Sequence, residues 1–274
     1  MVPAGPYRLP GPGRDGVLVR SGESLARLLQ IGDEAVVVRV WQAGGEVRFQ
    51  AQANSRAAAA EGIDRMRFAV GIDHELTEFH ARFRNDPLIG PVIRTVPWLR
   101  PRRRPEPFEA LVLAICEQLI ESRRAARIQR RIIRRHGSRS ACGTLVAPPT
   151  AGWLAGRSPA ELDACGLAPK RSIALVRVAR EVASGRIDLA LHEPSWRRLS
   201  AIPNIGSWTI EMLAFEGQGR DDQLPALDLE YVRLVGELAG LGRAATETEV
   251  RAFFAPYEEY AGLAGIYALH RRYL

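Results

Sequence analysis

The apolar positions change period once along this chain. Between residues 35 and 53 they run in β-branched or alternating stretches; beyond residue 73 they recur every three or four positions. Ala35 to Trp41 (AVVVRVW) and Glu46 to Ala53 (EVRFQAQA), joined by Ala43-Gly44-Gly45, predict a β-hairpin. Two strands do not stand alone, so further strand is expected near Gly16 to Arg20. Ser55 to Val70 carries Ile63, Met66 and Val70 at helical spacing and is expected to cover the sheet. Glu23 to Gln30 (ESLARLLQ), with Leu25, Leu28 and Leu29 on one helical face, predicts a short helix.

The rest of the chain predicts helices. Asp73 or Thr77 can cap one bearing Leu76, Phe79, His80 and Phe83, which stops near Asn85-Asp86-Pro87. Pro107 opens FEALVLAICEQLI, a buried helix, and Ser122 to His136 forms the next, with Ala125, Ile128 and Ile132 inward. Ser158-Pro159-Ala160-Glu161 reads as a capped start, and Pro169 to Ser184 turns Ile173, Val176 and Ala179 inward. Pro194 to Ala201 and Ser207 to Phe215 are short helices separated by Ile202-Pro203-Asn204-Ile205-Gly206. Leu227 to Leu238, apolar at Leu227, Tyr231, Leu234, Val235 and Leu238, is followed by Thr246 to Phe254 and Glu258 to Arg272.

Composition narrows the class. No apolar run reaches the roughly 18 to 20 residues of a membrane span, and the Pro/Gly-rich start lacks a secretory h-region, so a cytoplasmic protein is expected. Cys116, Cys142 and Cys165 are scattered, and the five histidines form no ligand pair, which argues against a disulfide framework or metal site. The net charge is +7, and residues 101–139 alone hold eleven Arg against four Glu, a surplus of the same size. The Pro-rich connector 97–107 reads as a solvated linker or, alternatively, one that touches phosphate. Arg123, Arg127, Arg130 and Arg134 share one helix face, either merely solvated or in contact with DNA. Lys170 is the sole lysine.

The turn at Ile202 to Gly206 carries the chemistry. Ending one helix and starting another within about four residues exposes unpaired amides at the positive end of the second helix, an anion site that reads phosphate but not base sequence. Asn204 tolerates positive φ and Gly206 allows close approach; an ordinary αα-corner is the alternative. Asp228 follows 22 positions after Gly206 in the apolar phrase Leu-Pro-Ala-Leu-Asp-Leu, where it could equally cap the helix that begins at Leu229.

LxxIPxIGxxT followed by that Asp, together with PFEALVLAICEQLIE and GLAPKRSIAL, resembles the helix-hairpin-helix glycosylase superfamily, and most nearly the bacterial inducible 3-methyladenine DNA glycosylases. The resemblance covers most of the chain. It implies an α+β molecule: an antiparallel-sheet unit at 1–72, a central helical unit at 108–220, and a second helical lobe built from 73–107 plus 221–274. It also implies double-stranded DNA with damaged bases as partner and excision of alkylated purines after base flipping, in base excision repair.

By that resemblance Asp228 is catalytic, and Pro203, Asn204, Ile205, Gly206, Ser207 and Thr209 form the DNA-binding hairpin. Trp208 and Met212 line the base pocket, with Gln118 and Leu119 at the wedge; Trp208 and Leu119 are alternatively core residues. No cofactor is implied, and no metal beyond a monovalent ion at hairpin carbonyls. Bifunctional relatives carry a lysine 18 to 19 residues before the Asp, where this chain has Ile210 and Thr209, so no amine-based strand cleavage is expected. Glu117 and Glu121 stand where relatives commonly have Gly and Ser, and Met212 replaces an aromatic. These departures motivate a second reading, a DNA-damage binder without turnover.

Overall fold

A computed structural model describes residues 1–118 and 120–274. Strands β1 (Val19–Ser21), β2 (Ser24–Ile31), β3 (Glu34–Ala43) and β4 (Glu46–Gln52) form an antiparallel meander in that order. Helix α1 (Arg56–Val70) lies across it and is capped by Ser55, whose hydroxyl accepts from the Ala58 amide at 3.1 Å. Met66 and Val70 of α1 pack on Leu25, Leu29, Val36, Val38 and Val40. Gly62 permits the approach, because a Cβ there would stand 2.7 Å from Val36 Cγ1.

The expected helix at Glu23 to Gln30 is instead strand β2. Both of its faces are covered: Leu25 and Leu29 enter the core under α1, while Ala26 and Leu28 meet Leu145 and Ala147. A strand buried on two sides needs no alternation, so its leucines fit a helical stripe equally well. The first strand is also shorter than Gly16 to Arg20.

Helices follow: α2 (Thr77–Phe83), α3 (Gly90–Thr95), α4 (Pro107–Glu117) and α5 (Ser122–His136). A two-strand ribbon of β5 (Ser138–Arg139) and β6 (Val146–Ala147), which has no period long enough to read, supplies the patch over Ala26 and Leu28. Then come α6 (Ala151–Ala155), α7 (Pro159–Asp163), α8 (Pro169–Ala183), α9 (His192–Ser200) and α10 (Ser207–Met212), with a widened turn at Leu213–Gly217. The last are α11 (Leu229–Leu238), α12 (Glu247–Phe254) and α13 (Ala261–His270). The structure is thus α+β, a small antiparallel sheet followed by helices.

Two apolar clusters organise the helical part. In one, Leu111 and Ile115 of α4 meet Ile132, Leu162, Leu175, Leu199, Ile205 and Leu213. In the other, Phe79, Ile89 and Val92 meet Leu224, Tyr231, Val250, Phe254 and Tyr267, so the segment before the connector and the end of the chain share a core. Three stripe expectations fail. Ile173 is 42% exposed, on the outer side of α8 opposite the buried Leu175 and Val178. Leu227 precedes the helix it was expected to join, and Leu238 ends it; both face solvent.

The connector is not a solvated linker. Arg103 is 7% exposed and pairs with Asp221 under the Phe215 ring, while Arg104 pairs with Asp15, Glu109 (3.3 Å) and Glu216 (3.6 Å). The chain threads between units here, and burial demands counter-charges for its guanidiniums. Only Arg102 of the three stays exposed. Among the described residues, no helix is long and apolar enough to cross a membrane.

Candidate active site

Helix α9 ends in a tight corner. Ile202 donates to the Leu199 carbonyl at 2.9 Å and Ile205 to the Ile202 carbonyl at 3.0 Å, and Asn204 makes the reversal at φ +70°. The corner then divides by face. Ile205 is buried in the α4 core, and Pro203, Asn204, Gly206 and Ser207 are exposed. Gly206 is the N-cap of α10 and offers no side chain to its amides. Its φ of −101° with ψ −179° is open to any residue, and a Cβ there would meet nothing within 4 Å. The fold therefore supplies no internal reason for glycine at this position.

Thr209 turns inward and is 1% exposed. Gln118, at the end of α4, donates through Nε2 both to its hydroxyl and to the Asn204 carbonyl, each at 2.9 Å. One amide thus clamps both arms of the corner to α4. The Thr209 hydroxyl braces the corner from inside. The carbonyls of Ile202 and Asn204 accept from the Ile205 amide and the Gln118 side chain, and as oxygen donors they suit a monovalent ion in chemical type. Leu119 lies outside the described residues.

Asp228 both caps α11 and faces the corner helix. Its Oδ1 accepts from the Glu230 amide at 2.9 Å and its Oδ2 from the Trp208 indole N–H at 3.2 Å. Capping thus uses one oxygen and leaves the other turned to the corner helix. Burial raises its carboxyl above the ordinary carboxylate range, against the pull of the Glu230 amide and the Trp208 N–H. Trp208 is half-buried, as is Met212 one turn further on. Glu211 between them is 7% exposed and pairs with Arg251, tying α10 to α12.

Sequence counting directed attention to Thr209 and Ile210 as the slots for an amine. The structure sets Trp208, 20 positions before Asp228, against the carboxylate, and an indole is no nucleophile. Glu117 is the residue whose importance the sequence understated. It lines a cavity of about 600 Å³ with Arg27, Arg103, Arg104, Gln129 and Glu216. Burial and the negative charges of Glu216 and Asp228 push its carboxyl up to about 7, with Arg104 opposing.

Comparison with known proteins follows this geometry. No family model matches the chain. It is 32% identical over 123 residues to DNA-3-methyladenine glycosylase 2 of Escherichia coli, a match covering 43% of this chain; the chain spans 44% of that relative's length. A solved 3-methyladenine DNA glycosylase from Archaeoglobus fulgidus superposes with a TM-score of 0.80 at 20% identity, covering 94% of this chain and 90% of that one. A Schizosaccharomyces pombe 3-methyladenine DNA glycosylase in complex with abasic DNA gives 0.59 at 26% identity, covering 72% and 98%.

The chain is thus similar in sequence to named 3-methyladenine DNA glycosylases over part of its length, and it shares the fold of solved ones.

Proposed function

We propose that this chain is a monofunctional DNA glycosylase that hydrolyses the N-glycosidic bond of alkylated, cationic purines of the 3-methyladenine type in duplex DNA, acting as a cytoplasmic monomer on the nucleoid. The observation that carries the reading is the half-buried carboxylate of Asp228, held by the Trp208 indole directly behind an exposed, glycine-capped hairpin. The relatives' names support the substrate class.

The hairpin amides at Gly206 and Ser207 grip a backbone phosphate, and Pro203 and Asn204 shape the turn that presents them. Ile205 and Thr209 hold that turn from inside. The damaged nucleotide leaves the stack, since its glycosidic bond is inaccessible within the duplex. Leu119 fills the gap it leaves. The Trp208 ring, with Met212 beside it, receives the cationic base, and cation-π attraction favours the charged lesion.

As the bond to the base breaks, positive charge develops at the sugar C1′. Asp228 stabilises it and directs water to it. A cationic purine departs as a neutral base, so no general acid is needed. The sugar is not captured covalently, because the slot facing Asp228 holds an indole, and the backbone stays intact.

Asp228→Asn separates enzyme from binder. We expect it to hold alkylated duplex about as tightly as wild type while free-base release falls by at least ~10²-fold. Excision at the wild-type rate would mean that another carboxylate acts. Wild type that binds alkylated duplex tightly but releases no base would support the binder reading that Glu117, Glu121 and Met212 raised.

A further inference from the structure

We propose that the outer face of α5 is a second DNA-contact track, which extends the hairpin's grip to the duplex flanking the lesion. The inference rests on the reading that the hairpin holds DNA.

The 15-residue α5 contains seven arginines and no carboxylate. All seven are exposed, while Ala125, Ile128, Ile132 and Ile133 are buried beneath them. Among the described residues none of the seven holds an ion pair; Arg130 reaches only the Ala126 carbonyl of its own helix, at 3.3 Å. Elsewhere exposed arginines are divided: among the described residues Arg20, Arg39, Arg56 and Arg177 also hold no ion pair, but none of them stands in such a row. Arg82, Arg186, Arg243 and Arg272 also stand on the surface, and each holds a carboxylate between 2.7 and 3.2 Å. Arginine abundance alone does not account for a face from which every acid has been left out.

Such a face costs the free protein something. Like charges at i, i+4 repel by a few tenths of a kcal/mol per pair, and Arg123–Arg127, Arg127–Arg131, Arg130–Arg134 and Arg131–Arg135 have that spacing. The cost is offset when a polyanion neutralises the row. Continuity points to DNA as that polyanion: α5 starts four residues after Gln118, whose amide bonds the hairpin at Asn204 and Thr209. From there the Arg123, Arg127, Arg130 and Arg134 stripe runs along a helix about 22 Å long, the length of about six base pairs.

The test uses the full chain with Arg123, Arg127, Arg130 and Arg134 all changed to Gln, which has similar helix propensity. Binding to duplexes carrying a non-cleavable abasic analogue is followed against salt, with the duplex either short around the lesion or lengthened by about seven base pairs on each side in turn. For wild type, lengthening on one side should tighten binding by roughly tenfold or more; the quadruple variant should lose that gain. Its log–log salt slope should be shallower by about 3 to 4, as each phosphate contact contributes about 0.9.

Thermal unfolding and base release at saturating enzyme should stay at wild-type levels, which rules out misfolding. An unchanged slope and an unchanged length gain overturn the proposal. Ser207→Glu, which repels phosphate from the hairpin, tells the two readings apart: if it leaves binding intact while the arginine variant does not, the hairpin assignment fails and the track stands.

Discussion

Glu117 shows how far one residue's chemistry depends on what surrounds it. Its carboxyl, ordinarily near 4.5, is pushed up to about 7. The folded chain therefore binds a proton that the unfolded chain releases between those values, so this group lowers stability as pH rises from about 4.5 to about 7 and no further above. Glu117→Gln lacks the titration. At pH 8 the variant should be more stable than wild type by on the order of 2 kcal/mol, after allowance for partial exposure, and the difference should close below about pH 4.5. Urea unfolding at the two pH values checks this; wild type the more stable at pH 8 would refute it. Nothing in the phrase Ala-Ile-Cys-Glu-Gln signals this behaviour, because Glu216 and Asp228 lie about a hundred residues away.

At the scale of elements, local signals were read well and two-sided burial was not. The hairpin, the Ser158 capping box and the Pro107 helix start each follow from neighbours within a few positions. β2 failed because a strand with both faces covered has no period of its own. The hairpin itself offers a separation of stability from function. Gly206 adopts a conformation that alanine tolerates and has open space above it, so in Gly206→Ala the lower entropy of the unfolded chain offsets alanine's poorer N-capping, and stability should stay within about 1 kcal/mol of wild type. Duplex affinity should nevertheless fall several-fold, since the new methyl holds phosphate off the amides. Calorimetry with fluorescence anisotropy decides it: unaltered affinity would leave the glycine without a role in DNA approach.

Over the whole molecule, one buried charge network joins parts distant in sequence. Arg104 links Asp15 of the N-terminal arm, Glu109 of α4 and Glu216 of the turn after α10, and Arg27 of β2 also reaches Glu109. Removing the central guanidinium leaves Asp15 and Glu216 without an ion-pair partner, and only Glu109 still held, by Arg27. Arg104→Met should cost about 3 to 5 kcal/mol at pH 7, read as a lower urea midpoint. A loss under 1 kcal/mol would show that the network is dispensable.

The sequence by itself determined the hairpin, the helix starts, the missing lysine and the distance from Gly206 to Asp228, because each depends on residue types close along the chain. Only the tertiary structure decided that Trp208 bonds Asp228, that Gln118 clamps the hairpin from 86 residues away, and that Arg103 and Arg104 are buried. The reason is physical: backbone conformation is biased by near neighbours, whereas ionisation, burial and hydrogen-bond partnership belong to whichever surfaces the fold brings together.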